Sequence, residues 1–217
     1  MSHSGVMLFG TNEPTFDLDA GLSCLDFANH LSSTSVYSDL VTFAAQSELI
    51  TRADADWLHA AAAQDARGAE AVMDRARSLR SAVYAIFSEA AAGETPGAEQ
   101  VDALNDELAW SLANARVVET ETGYGWGWSG RALDAPLWGV SRQAADLLTS
   151  PAELRRVREC GGDGCHWLFM DTSKNRSRQW CSMQACGNRQ KARRHYERLR
   201  QRSAAESLAN RQETEHG

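Results

Sequence analysis

Four of the five cysteines in this 217-residue chain fall close together, as Cys160-Gly-Gly-Asp-Gly-Cys165 and Cys181-Ser-Met-Gln-Ala-Cys186. Thiolates are soft anionic donors, and two pairs with the same four-residue gap, separated by residues 166–180, have the linear form of a tetrahedral thiolate metal site. The chemistry expected of such a site is structural, because four protein thiolates close the shell whereas a hydrolytic metal keeps one position open for water. One structural Zn2+ suits the cage, with iron as the alternative. His166, next to Cys165, is the neighbouring side chain able to replace a cysteine. The fifth cysteine, Cys24, has no ligand partner at a metal-like spacing and reads as a buried apolar thiol.

A strongly basic run follows the second pair. From Arg189 to Arg202 the chain carries seven Lys or Arg and one acid, Glu197. At about 100° per residue, Lys191, Arg194, Arg198 and Arg202 form one stripe, and Ala192, Tyr196 and Leu199 form an apolar stripe expected to lie on the metal module. Lys174, Arg176 and Arg178 add charge between the cysteine pairs. With Arg189 they complete a candidate nucleic-acid surface: Lys174, Arg176, Arg178, Arg189, Lys191, Arg194, Arg198 and Arg202. His195 reads as a surface or phosphate contact. The spacing separates neither DNA from RNA nor base readout from phosphate contact.

The net charge of −7 conceals a division. Residues 1–150 carry 8 Lys+Arg against 21 Asp+Glu, and residues 151–202 carry 13 against 5. An acidic body joined to a basic module points to a polyanion partner for the module. The expected division is a helical domain over 1–150, the metal module with its helix over 151–202 and a polar tail over 203–217, with the boundary at Pro151.

The elements that must position these groups are mostly helical. Apolar spacing predicts a helix over residues 21–31, a second capped by Ser38 or Asp39, and a third capped by Thr51 with Asp54. Two longer helices are predicted over about 70–92 and 98–115, the latter turning Val101, Leu104, Leu108 and Leu112 inward. The period then changes. Residues 116–129 read as a β-hairpin that puts Trp126 and Trp128 on one side, either to stack a ligand or to cover the helical core. Asp134 and Pro136 open a further helix. In the metal module, a short helix is expected to deliver Cys160, and 166–170 to pair with 178–180 as a hairpin cored by Trp167, Phe169 and Trp180. Cys186 falls at a helix start, where the dipole favours its thiolate. A module this small buries little apolar surface, so metal is expected to supply much of its folding free energy.

Cys181 to Arg189, preceded by Trp167-Leu-Phe-Met-Asp171-Thr-Ser-Lys-Asn-Arg176-Ser, resembles the CGNR zinc finger, named for the residues that here are Cys186 to Arg189. The preceding body resembles the ABATE domain of bacterial stress-induced transcription regulators, through Leu25-Asp26-Phe27-Ala28-Asn29 and the order of helices, hairpin and helix, with His30 where that family commonly has Thr. The resemblance implies a DNA-binding regulator whose zinc ligands are Cys160, Cys165, Cys181 and Cys186. It also implies a body that receives a small ligand or protein partner. Asp26 and Asn29 are candidates for that contact or, alternatively, satisfy buried backbone groups.

The fold class expected is mainly α (α+β): a helical N-terminal domain with a small β-hairpin, then a small treble-clef-like zinc module ending in a long basic helix. No nucleophile–base constellation, P-loop or dinucleotide fingerprint is present, so no enzyme is expected. No window approaches 18 consecutive apolar residues and the first residues do not form a secretory signal, so a cytoplasmic protein without membrane contact is expected. The function expected is a bacterial DNA-binding transcription regulator with a sensory or dimerising acidic body, a homodimer among the possibilities. The alternative is a zinc-stabilised interaction module whose basic helix docks on an acidic protein surface without nucleic acid.

Overall fold

The computed structural model describes residues 14–120 and 122–215. The body is built on six helices: α1 (Ser23–His30), α2 (Tyr37–Gln46), α3 (Arg52–Gln64), α4 (Ala66–Ala92), α5 (Ala98–Asn114) and α6 (Ala135–Leu148). Their ends follow local chemistry. Thr51 Oγ1 accepts the Asp54 N–H at 3.1 Å, and Asp65 Oδ1 accepts the Gly68 N–H at 2.8 Å. Gly93, at φ 81°, ends α4 in the left-handed conformation that costs glycine little. Asp39 is not the cap of α2. It sits in the first turn, and its carboxylate accepts the Val36 N–H at 2.9 Å.

Helix α4 runs through the centre and buries Val72, Met73, Ala76, Leu79, Val83, Ile86 and Phe87. Helix α5 packs between α4 and α6, though on a face rotated from the one its leucines predict. Leu104, Glu107 and Ser111 are buried, while Leu112 is exposed. The rotation is stabilised by polar pairs. Arg75 holds Glu107 through two hydrogen bonds of 3.0 and 2.7 Å and reaches Asp134 at 3.0 Å, and the Ser111 and Ser141 hydroxyls meet at 2.6 Å. A buried carboxylate is tolerated when paired in this way.

Strands β1 (Ala115–Thr120) and β2 (Gly123–Trp128) form the expected antiparallel hairpin, in the register Ala115↔Trp128 to Thr120↔Gly123. After a one-turn helix, α7 (Pro151–Leu154), the chain departs from expectation. Cys160 is delivered by a strand, β3 (Val157–Glu159), which pairs antiparallel with β4 (Leu168–Met170) in the register Val157↔Met170, Arg158↔Phe169, Glu159↔Leu168. Segment 178–180 is irregular and forms no strand with β4.

The physical reason lies in the core. Val157, Leu168, Phe169 and Met170 are buried in the same apolar cluster as Leu25, Phe27 and Leu79. The β3–β4 hairpin therefore completes the body's core instead of building a separate small one, and only Trp167 and Trp180 remain half-buried at its edge. A π-helical turn (Met183–Gly187) then leads into α8 (Asn188–Glu215). Among the described residues no helix is long and apolar enough to cross a membrane.

Candidate metal centre and basic helix

The hairpin turn between β3 and β4 is the first cysteine knuckle. Cys160 N–H donates to the Trp167 carbonyl at 2.8 Å, so the strand register itself brings Cys160 and Cys165 together. Gly164 takes φ 67° to make the turn. Gly162 serves by its missing side chain: a Cβ there would stand 3.1 Å from Cys186 Sγ and 3.4 Å from Cys160 Sγ. Of the second pair, Cys181 precedes the π-helical turn and Cys186 lies on it, and Ser182 Oγ accepts the Ala185 N–H at 3.4 Å.

The four sulfurs all lie within 4.8 Å of one another. Cys165 and Cys181 Sγ are 3.6 Å apart, and Cys181 and Cys186 Sγ are 3.7 Å apart. A tetrahedron with Zn–S bonds of about 2.3 Å has sulfur–sulfur edges of about 3.8 Å, so the cage fits one zinc ion. The Cys181 N–H points at Cys160 Sγ from 3.3 Å, a backbone donor that favours the thiolate. His166 is not among these ligands: its Nδ1 lies 2.8 Å from Glu159 Oε1.

The sulfurs' ionisation reflects their crowding. Burial would raise the Cys160 thiol, but hydrogen bonds from the Cys181 and Gly162 backbones outweigh it and hold the pKa below the usual thiol value. Burial and the neighbouring sulfurs push Cys181 up strongly, and Cys186 up to about 11. A divalent cation among the sulfurs would lower all of them, because its charge favours every thiolate.

The remaining candidates divide into structural and exposed groups. Arg178, expected at the nucleic-acid surface, is committed instead to the fold. Its guanidinium donates to the carbonyls of Trp180 at 2.9 Å, Met170 at 3.4 Å and Cys181, and lies over the Phe169 ring at 4.6 Å. Asp171, fully buried, organises the same loop by accepting the Ser173 and Arg178 N–H groups at 2.9 and 3.1 Å. Burial alone would raise its carboxyl, but those donors hold it below the usual carboxylate range. Lys174, Arg176, Arg189, Lys191, Arg194 and Arg198 are all exposed. The side chain of Arg202 lies outside the described residues.

The apolar stripe of α8 is not covered as expected. Tyr196 is 67% and Leu199 44% exposed, and every residue from Lys191 to Gln201 is exposed. The helix is anchored at its first turn, where Gln190 is buried and Arg193 pairs with Asp163 of the knuckle and, at 3.3 Å, with Glu197. Beyond that anchor it projects.

Asn29 proves to be a backbone clamp. Its Nδ2 donates to the Leu168 carbonyl and its Oδ1 accepts the Leu168 N–H, both at 2.9 Å, so one amide side chain pairs with β4 as an extra strand residue would. Asp26 accepts the Ala20 N–H at 3.0 Å, and burial raises its carboxyl to about 6. Met170 N–H donates to the Ala20 carbonyl at 2.7 Å, while Tyr84 and Ser88 of α4 reach the His166 carbonyl at 2.9 Å and Glu159 at 2.7 Å. Asp26 and Asn29 thus satisfy backbone groups where the body meets the knuckle. Trp126 and Trp128 engage other elements: Trp126 lies under Arg142 at 4.3 Å, and Trp128 meets Trp138 at 5.8 Å.

A helical body into whose core a thiolate knuckle is built, with a basic helix leaving the cage, defines a metal-finger protein of two linked parts. Residues 156–199 match the CGNR zinc finger, and residues 21–151 match ABATE, whose description is "Putative stress-induced transcription regulator". The chain belongs to the ABATE family and carries a C-terminal CGNR zinc finger. No curated protein matches it.

Proposed function

We propose that this protein is a bacterial DNA-binding transcription regulator acting in the cytoplasm, in which Cys160, Cys165, Cys181 and Cys186 hold one structural zinc ion and α8 contacts DNA. The observation that carries the reading is the projecting helix: Arg189, Lys191, Arg194 and Arg198 stand exposed on an element anchored at one end to the cysteine cage. Zinc would offset half the charge of the four crowded thiolates and fix the first turn of α8, so the helix leaves the module at a set angle. Lys174 and Arg176, exposed in the loop before the second cysteine pair, extend the same positive character. The acidic body would then serve to sense a ligand or to dimerise.

The test is binding of the zinc-loaded chain to duplex DNA across a salt series. Neutralisation of about five phosphates gives a slope of log affinity against log salt of roughly −4 to −5. Absence of binding at low salt would overturn the reading. The alternative, docking of α8 on an acidic protein surface, draws support from the exposure of Tyr196 and Leu199 beside the arginines. The protein's own body is a poor candidate for that surface, since α8 makes its main contacts with the π-helical turn that precedes it.

A further inference from the structure

Remote from the cysteine cage, the body contains an open cavity of about 780 Å³ between the α2–α3 connection and the segment that joins β2 to α6. Its volume lies within the range that holds small organic ligands. Three tryptophans from three different elements line it: Trp57 of α3, Trp128 of β2 and Trp138 of α6. Leu49 and Ile50 add apolar wall. Trp138 is 1% exposed, and among the described residues its indole Nε1 has no hydrogen-bond partner. That nitrogen is itself enclosed, so Trp138 supplies wall and no donor to a molecule in the open cavity.

The charged groups at this cavity bound the ligand's charge. The lining holds two arginines, Arg52 and Arg131, and two acids, Glu48 and Asp54, so it carries no net charge. Arg131 is moreover occupied: its Nε lies 3.3 Å from Asp54 Oδ1, and its guanidinium sits over the Trp57 ring at 5.8 Å. Nothing there demands an anion. Indole faces favour flat π-systems in offset or edge-on contact.

We propose that this cavity binds a neutral planar aromatic molecule, its ring against Trp57 and Trp128. The site lies apart from the metal centre and the basic helix, and its test involves neither zinc affinity nor DNA.

The experiment titrates the zinc-loaded full chain with quinoline, naphthalene, cyclohexanone and 2-naphthoate at pH 7.5, followed by the indole N–H resonances of the tryptophans, that of Trp128 assigned from Trp128→Phe. Quinoline and naphthalene are expected to bind saturably and shift the Trp128 resonance, each at least fivefold more tightly than cyclohexanone, which lacks the ring. Trp57→Ala, at a half-buried position, should weaken quinoline about fivefold or more, and Ala132→Trp, which fills the cavity, should abolish binding. Should Ala132→Trp fail to fold, Trp57→Ala alone decides. The proposal is overturned if quinoline does not saturate, if it binds Trp57→Ala as well as the parent, or if cyclohexanone matches it. Tighter binding of 2-naphthoate would overturn the neutral assignment.

Discussion

Replacing Asn29 tests how much one amide side chain contributes to holding the finger to the body. In the native fold that side chain makes two hydrogen bonds of 2.9 Å to the backbone of Leu168, a residue with no solvent exposure. Each bond contributes about 1 kcal/mol net, and an enclosed backbone group left unpaired adds about 1 kcal/mol or more. Asn29→Ala should therefore cost about 3 kcal/mol, which for a chain of this size lowers the melting temperature by about 6–12 °C. Asn29→Asp should do no better, because its carboxylate accepts the Leu168 N–H but turns a second oxygen toward the Leu168 carbonyl. The assay is calorimetric unfolding of the zinc-loaded protein, with metal release to a chromogenic chelator timed in parallel. Release should quicken in both variants, since β4 is one arm of the knuckle that carries Cys160 and Cys165. A melting temperature within 1 °C of the parent, with unchanged release, would refute the reasoning.

Three further outcomes are expected. Combined Lys191→Ala, Arg194→Ala and Arg198→Ala should leave zinc content unchanged while making the salt slope of DNA binding shallower by about 2.7, measured by titration at several salt concentrations. Gly162→Ala places a methyl group among the sulfurs and should reduce zinc stoichiometry, read by metal analysis. The body should still unfold cooperatively in that variant, because Val157, Leu168 and Phe169 are buried in its own core. Asp26 has a folded pKa raised from 3.8 to about 6, so the native state holds its proton more tightly than the unfolded chain does. Its protonation favours folding most at pH below 3.8, and that advantage, about 3 kcal/mol, is lost as pH rises through 6. Relative to Asp26→Asn, the parent should lose stability between pH 4 and 7 in denaturant titrations; a parent that gained stability over that interval would contradict the assignment.

Cysteine spacing and charge order determined the metal cage, its position before a basic helix and the mainly helical body, because thiolate ligation, capping and helical periodicity are local properties. The cap Thr51 and the pairing of β1 with β2 were legible for the same reason. The tertiary structure alone decided which partner each half-committed group takes. Arg178 carries the same charge as Arg176, yet only the loop around Asp171 turns it onto carbonyls. The leucines of α5 predicted one face, while the pairing of Glu107 with Arg75 and of Ser111 with Ser141 selected another. Strand β4 took β3 as its partner because Phe169 and Leu168 gain a deeper core in the body than a separate finger offers. Of the Trp57, Trp128 and Trp138 cavity, only Trp128 was signalled along the chain. Its walls come from elements distant in sequence, and such a surface exists only once packing has placed them side by side.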